Sequence, residues 1–164
     1  MDDPGSCESY LRRHVIEPWG IAPGQYAGFE SDPRDRASEC RRIQNWVRRK
    51  GPIDLCILGI GTNGHLGLNE PGRIIVPFAH ESRLSRSTMT HGMLAQAAVK
   101  PKFGLTLGIS EILQSRQILL LVSGEHKRKP LRRLMENKLS TDFPASLLAL
   151  HPRTLVLCDA EAYG

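Results

Sequence analysis

DLCILGIGTNGHLGLNEPG, residues 54–72, holds the reading of the fold and of the site. Leu55, Cys56, Ile57 and Leu58 follow one another with no polar break, as expected of a strand covered on both faces rather than one that alternates. A turn containing Gly59, Gly61 and Gly64 then leads to His65, and Asn69-Glu70-Pro71 follows. In open α/β sheets, ligands gather just beyond the carboxyl ends of such strands. The turn is thus a candidate site on position alone.

Working outward, two more runs share this character: QILLLVSG from Gln117 and TLVLCDA from Thr154, with the shorter FGLTLGI from Phe103 as a fourth strand candidate. Helix-length segments lie between them. Ser6 can cap a helix running through Tyr10 and His14 and ending before Pro18. Asp32-Pro33 reads as the entry of a helix that ends near Lys50, with Gly51-Pro52 as its stop. Ser110 to Ser115, Lys127 to Glu136 and Pro144 to Leu150 supply shorter ones. This alternation predicts an α/β fold, an open, mostly parallel, Rossmann-like sheet flanked by helices, in one domain over residues 1–164. The first strand of such a sheet is commonly central, yet here the first convincing strand begins only at Leu55. The opening β-α-β unit is therefore expected to be missing.

Composition narrows the classes. A chain of 164 residues with 40% hydrophobic content can bury a real core. No apolar stretch approaches the roughly 18 residues that span a bilayer, and the first residues lack the basic and apolar regions of a secretory signal. The four cysteines, Cys7, Cys40, Cys56 and Cys158, form no C-x-x-C pair, so neither a disulfide framework nor a zinc site is expected. Cys56 and Cys158 read as small buried hydrophobes, and the compartment expected is the cytoplasm. The net charge of +5 raises the question of nucleic acid, but aromatics amount to only 5%, too few for base-stacking platforms. Arg41, Arg42, Arg48 and Arg49 recur at helical spacing and read first as a solvated helix face. Such a face can also draw in a small anion. Neither a nucleic-acid nor a membrane partner is expected, and a basic nucleic-acid-binding domain is the least favoured alternative.

Three chemistries compete for the glycine turn. GIGTNG matches the dinucleotide fingerprint G-x-G-x-x-G, with Glu81 as a distant acid, but that fingerprint needs its third glycine to open a helix. HLGLNEPG, with Gly67 and Pro71, is poor helix material. A metal reading would use His65 and Glu70 with His80 or His91, at a spacing that fits no zinc motif. The third reading pairs His65 with Glu70 as a proton-transfer couple, the carboxylate fixing the ring's tautomer and stabilising its imidazolium form. The glycines leave room for a substrate to lie against backbone N–H groups.

At this point the residues resemble a known family. LGIGTNGHLGLNEPG is similar to the signature segment of the amino-sugar-phosphate deaminases, the glucosamine-6-phosphate deaminase/isomerase family, and most closely to its galactosamine-6-phosphate branch. PGSCESYLRRHVIEPWGI, ECRRIQNWVRRKGPIDLCILG, LTLGISEIL and ILLLVSGEHKRKPL fall in the family's order and spacing. The resemblance implies aldose–ketose isomerisation of a hexosamine 6-phosphate with loss of ammonia. Galactosamine 6-phosphate would give tagatose 6-phosphate, or glucosamine 6-phosphate its own ketose. It also implies His65 as the ring-opening acid/base, Glu70 as the carboxylate that orients it and Asn63 as a catalytic position, held by Asp or Asn among relatives, next to the same histidine. Lys127 would bind the substrate phosphate, Gly59 and Gly61 would line the substrate, and Arg83 and Arg86 are candidates for a phosphate arginine. No metal or organic cofactor is implied. The partner is a small-molecule sugar phosphate, and assembly as a homo-oligomer is compatible with the family.

The resemblance also implies two elements ahead of MDDPGSCESY: a strand leading to a Thr-Gly-x-Thr-Pro-like phosphate loop, and a strand ending in an Asp-Glu pair whose Asp moves the proton between C1 and C2. Asp2 and Asp3 fall in the loop after that pair. The 164 residues are therefore expected to be the C-terminal part of the full family domain and nearly inactive alone. A non-catalytic sugar-phosphate-binding remnant is the second reading. With central strands missing, the apolar flanks of the Leu55 strand are expected to invite self-association.

Overall fold

The computed structural model describes residues 6–89 and 101–164. Asp2, Asp3 and His91 lie outside the described residues. Helix α1 (Cys7–Leu11) begins where the Ser6 hydroxyl accepts the Ser9 N–H at 3.1 Å, and it continues as a π-helical turn over Arg12–Ile16. Helix α2 (Arg36–Lys50) is capped by Asp35 rather than entered at Asp32-Pro33. Asp35 is extended, and its carboxylate accepts the Ser38 N–H at 3.0 Å, satisfying a donor of the first turn. Glu39, Cys40 and Ile43 form the buried stripe of α2. The buried Glu39 carboxylate takes the Arg42 guanidinium at 2.6 and 2.7 Å, which holds it below the usual carboxylate range, and it also accepts the Glu30 N–H. Arg42 further donates to the Gly28 carbonyl, so this member of the arginine row is tied into the fold.

Strands β1 (Leu55–Gly59), β4 (Gln117–Val122) and β5 (Thr154–Cys158) form a parallel sheet in the order β1-β4-β5. Leu55 stands opposite Gln117, and Ile118 opposite Thr154. Three of the four sequence-predicted strands thus pair as expected. The fourth, β3 (Phe103–Thr106), instead forms an antiparallel ladder with β2 (His80–Arg83), placing His80 opposite Thr106 and Arg83 opposite Phe103. Helix α2 packs against this ladder, with the Arg36 guanidinium 2.5 Å from Glu81 and over the Phe103 ring.

Short helix α3 (Arg86–Met89) follows β2, and α4 (Ile109–Leu113) follows β3. The buried Glu111 carboxylate holds the N-terminus of α4 by accepting the Gly108 N–H, and it ties that end to β2 through the Ala79 N–H. A 3-10 turn (Glu125–Lys127) leads into α5 (Arg128–Met135). A second (Pro144–Leu150) precedes β5, and α6 (Ala160–Tyr163) follows it.

The core lies on one face of the parallel sheet. Cys56, Ile118, Leu120 and Val122 project into a cluster with Leu66, Ile109, Ile112, Leu131, Phe143 and Leu148. The opposite face differs from the expectation of strands covered on both sides. Ile118 and Leu120 are 0% exposed, whereas Ile57 is 59% and Leu121, Leu155 and Leu157 nearly half exposed. Aliphatic residues on both sides of a strand mark both as apolar. They do not say what packs there, and among the described residues the helices cover one. Cys56 is buried as expected, but Cys158, near the end of the outer strand β5, is exposed. None of the described helices is long and apolar enough to cross a membrane.

Candidate active site at the end of strand β1

Strand β1 delivers the chain into the glycine turn, which folds back on itself. The Gly61 N–H donates to the His65 carbonyl at 3.0 Å, and the Gly64 N–H to the Gly61 carbonyl at 2.9 Å. Two of the glycines are required by geometry. A Cβ on Gly61 would lie 2.4 Å from His65 ring atoms, so the ring rests directly on that backbone. Gly64 has φ +88° and sits against the buried Phe143 ring. Beyond Gly64 the chain forms a tight turn, with Leu66 bridged to Asn69, not the helix that a dinucleotide site needs. The buried Asn69 amide holds this turn by donating to the carbonyls of Leu66 and Leu107, each at 2.9 Å.

The turn carries Glu70 back beside His65. The His65 Nδ1 stands 3.7 Å from Glu70 Oε2, and both side chains are mostly buried. Burial works to raise the Glu70 carboxyl, but three donors outweigh it and hold it below the usual range. These are the Thr88 hydroxyl at 2.5 Å, the Asn63 amide at 2.8 Å and the Ser85 N–H at 3.2 Å; nearby His65 adds to the effect. Asn63 therefore acts on Glu70. Its own Oδ1 accepts the His65 backbone N–H at 3.2 Å, so it also braces the histidine's main chain.

Lys127 joins from the far side of the turn. Its Nζ donates to the Ile60 carbonyl at 2.6 Å, directly after β1, and its burial lowers its pKa. The structure thus brings His65, Glu70, Asn63 and Lys127 to one turn. Gly61 is there as the seat of the imidazole, and Gly59 is the last residue of β1. Arg83, on β2, and Arg86, at the start of α3, are exposed on the elements flanking the site. His80, weighed above as a metal ligand, instead faces the Phe78 carbonyl at 2.7 Å. No group of three metal-ligating side chains occurs among the described residues.

Two contributors escaped the sequence reading. The buried Thr88 hydroxyl lies 3.2 Å from His65 Nδ1 and touches Glu70. Ser85 supplies its N–H to Glu70, and its Oγ lies 3.0 Å from Thr88 Oγ1 and 3.2 Å from the Asn63 amide. Neither hydroxyl stands at a spacing from His65 that marks it. Only the return of the chain through β2 brings them in.

The chain is similar to known proteins along nearly its whole length. The chain is 44% identical over 154 residues to an Escherichia coli (strain K12) protein named "Putative deaminase AgaI", a match that covers 94% of this chain and 61% of that protein. To glucosamine-6-phosphate deaminase 1 of Bacillus subtilis (strain 168) it is 38% identical over 163 residues, covering 98% of this chain and 67% of the relative. The solved structure of a monomeric glucosamine-6-phosphate deaminase superposes with a TM-score of 0.91 at 37% identity, covering 99% of this chain and 68% of that one. The chain thus spans about two thirds of the length of the relatives it matches. The family described as glucosamine-6-phosphate isomerases/6-phosphogluconolactonase matches residues 1–157. With a parallel sheet, a glycine turn at its carboxyl end and His65 seated beside Glu70, the chain belongs to that family.

Proposed function

We propose that this site performs the acid–base steps of hexosamine 6-phosphate deamination, with galactosamine 6-phosphate as the favoured substrate and glucosamine 6-phosphate as the alternative. The observation that carries the reading is the mutual placement of His65, Glu70 and Lys127 around one glycine turn. His65 protonates the ring oxygen and opens the pyranose, while the Glu70 charge stabilises the imidazolium form. The Lys127 ammonium meets the 6-phosphate. Its burial lowers its pKa in the free protein, and an incoming phosphate, as a nearby opposite charge, favours the charged form. After proton transfer from C2 to C1, the 2-imino group takes up water and leaves as ammonia, giving the ketohexose 6-phosphate.

The Asp that the family resemblance implies for the C1–C2 transfer has no counterpart in the 164-residue sequence. General acid–base groups contribute about 10²–10⁴-fold each, so residues 1–164 by themselves turn over feebly. The test is ammonia release from both sugar phosphates by residues 1–164 and by a form extended at its N-terminus with the corresponding segment of the Bacillus subtilis relative. Turnover by the extended form, abolished by His65→Ala, supports the proposal. Turnover that survives His65→Ala, or its absence from both forms, overturns it. Binding without turnover in either form would instead favour a sugar-phosphate-binding role.

A further inference from the structure

Glu70 reaches the imidazole through an intermediary side chain. At 3.7 Å, His65 Nδ1 and Glu70 Oε2 are too far apart for a hydrogen bond. Thr88 Oγ1 fills the gap, 2.5 Å from Glu70 Oε1 and 3.2 Å from His65 Nδ1. We propose that Thr88 is a positioning residue, its hydroxyl relaying Glu70 to His65 and fixing the imidazole as the Nδ1–H tautomer with Nε2 as the basic nitrogen. The proposal rests on the reading of His65 as the ring-opening acid/base.

A hydroxyl has one proton to give and two lone pairs to receive with. Glu70 accepts from Thr88, Asn63 and Ser85 N–H, three donors that favour its ionised form, and an ionised carboxylate can only accept. The single Thr88 proton is therefore committed to Glu70. Whatever else faces Thr88 Oγ1 must bring its own proton. His65 Nδ1 accordingly carries hydrogen and donates to Thr88, and the Ser85 hydroxyl donates to Thr88 at 3.0 Å. Ser85 Oγ in turn accepts the second Asn63 amide proton at 3.2 Å and the Thr88 N–H at 3.3 Å. Among the bonds between described residues, the directions in the Asn63–Glu70–Ser85–Thr88 set follow from the one ionised carboxylate. Which ring nitrogen of a histidine is basic is set by the bond the other one makes, and here that bond runs to a threonine. When Nε2 takes a proton, the Nδ1–H···Oγ bond strengthens and Glu70 stabilises the imidazolium across the hydroxyl.

The test reads the tautomer directly, by two-bond ¹⁵N–¹H correlation of the His65 ring in the substrate-free 164-residue chain at neutral pH. Wild type is expected to show a protonated Nδ1 and a pyridine-type Nε2. Thr88→Ser, which keeps the hydroxyl, retains that pattern, whereas Thr88→Val loses it and the ring becomes a tautomer mixture. A wild-type ring protonated at Nε2 overturns the relay, and this result needs no variant to fold. An unchanged Thr88→Val spectrum overturns it as well. In a form that turns over, Thr88→Val lowers kcat about 10- to 100-fold, as befits one charge-assisted hydrogen bond, with KM unchanged and Thr88→Ser restoring the rate. If no form releases ammonia, the proposed function fails while the tautomer result stands, so the two failures are distinct.

Discussion

Replacing Gly64 by alanine tests how tightly the glycine turn is clamped to the core. At φ +88° an L-residue is disfavoured, by about 1–2 kcal/mol. The new Cβ would also stand 2.0 Å from Phe143 Cδ2 and 2.3 Å from Cε2, closer than any real contact. The ring has little room to retreat. It is 2% exposed, and the Arg133 guanidinium lies over it at 4.5 Å from the centroid. Overpacking of this kind costs about 1–3 kcal/mol, so Gly64→Ala is expected to destabilise by about 2–5 kcal/mol. Phe143→Ala alone should cost about 3–5 kcal/mol. In the double variant the methyl meets no ring and only the backbone part of the Gly64→Ala cost remains. The cycle should therefore fall short of additivity by about 1–3 kcal/mol. Urea unfolding followed by circular dichroism, read as midpoint shifts at constant m, supplies the four values. Costs that add to within about 0.5 kcal/mol would show that the methyl and the ring never meet, and the account of the clamp would be wrong.

Three further expectations follow from the site and the sheet. The Glu70 carboxyl lies below its ordinary value of 4.5 in the folded chain, so the unfolded state binds its proton first as pH falls. The Glu70 contribution is whole above about pH 5 and is lost as pH drops through the folded pKa; Glu70→Gln should flatten that part of the stability profile, and an equally steep acid limb would refute it. Lys127→Met should weaken galactosamine 6-phosphate binding about 10- to 100-fold, measured by titration calorimetry, and cost about 1–3 kcal/mol of stability by leaving the Ile60 carbonyl without its donor; unchanged affinity would remove Lys127 from the proposed phosphate site. On the open face of the sheet, Leu121→Glu should lower binding of an apolar dye and shift sedimentation of the 164-residue chain toward monomer, with stability altered by no more than about 0.5 kcal/mol. Unchanged dye binding and sedimentation would mean that this face is not what makes copies associate.

What the sequence disclosed, and what it did not, has physical causes. Leu55–Leu58, Ile118–Val122 and Leu155–Leu157 announced themselves because uninterrupted aliphatic runs of strand length have few other uses. The same runs concealed the one-sided packing, since Ile57 and Leu120 read alike yet differ from open to fully buried. Strand β2, His-Glu-Ser-Arg, has no apolar rhythm, so the partner of Phe103–Thr106 and their antiparallel ladder are illegible in the sequence. His65 and Glu70 stood out because glycines and a strand end flanked them. Lys127 had no signal beyond family likeness, and its reach to the Ile60 carbonyl emerges only in three dimensions. Thr88 and Ser85 were invisible because a hydroxyl becomes informative only once its neighbours are known.

The register of the parallel sheet sets a timetable for synthesis. Leu55 pairs with Gln117, roughly 60 residues later in the chain, and β5 follows β4 by half that distance again. At about 5–20 residues per second, β1 leaves the ribosome several seconds before β4, its partner strand among the described residues. Until then the edge of Leu55–Gly59 that pairs with β4 stays open. The Leu66–Asn69 turn closes locally and can form at once, and the β2–β3 ladder needs far less chain than the sheet does. The turn that follows His65 can therefore close before the sheet that supports it is paired. That edge of β1 is then open from the emergence of residue 59 to that of residue 122, a window in which a holdase has an unpaired strand edge to protect.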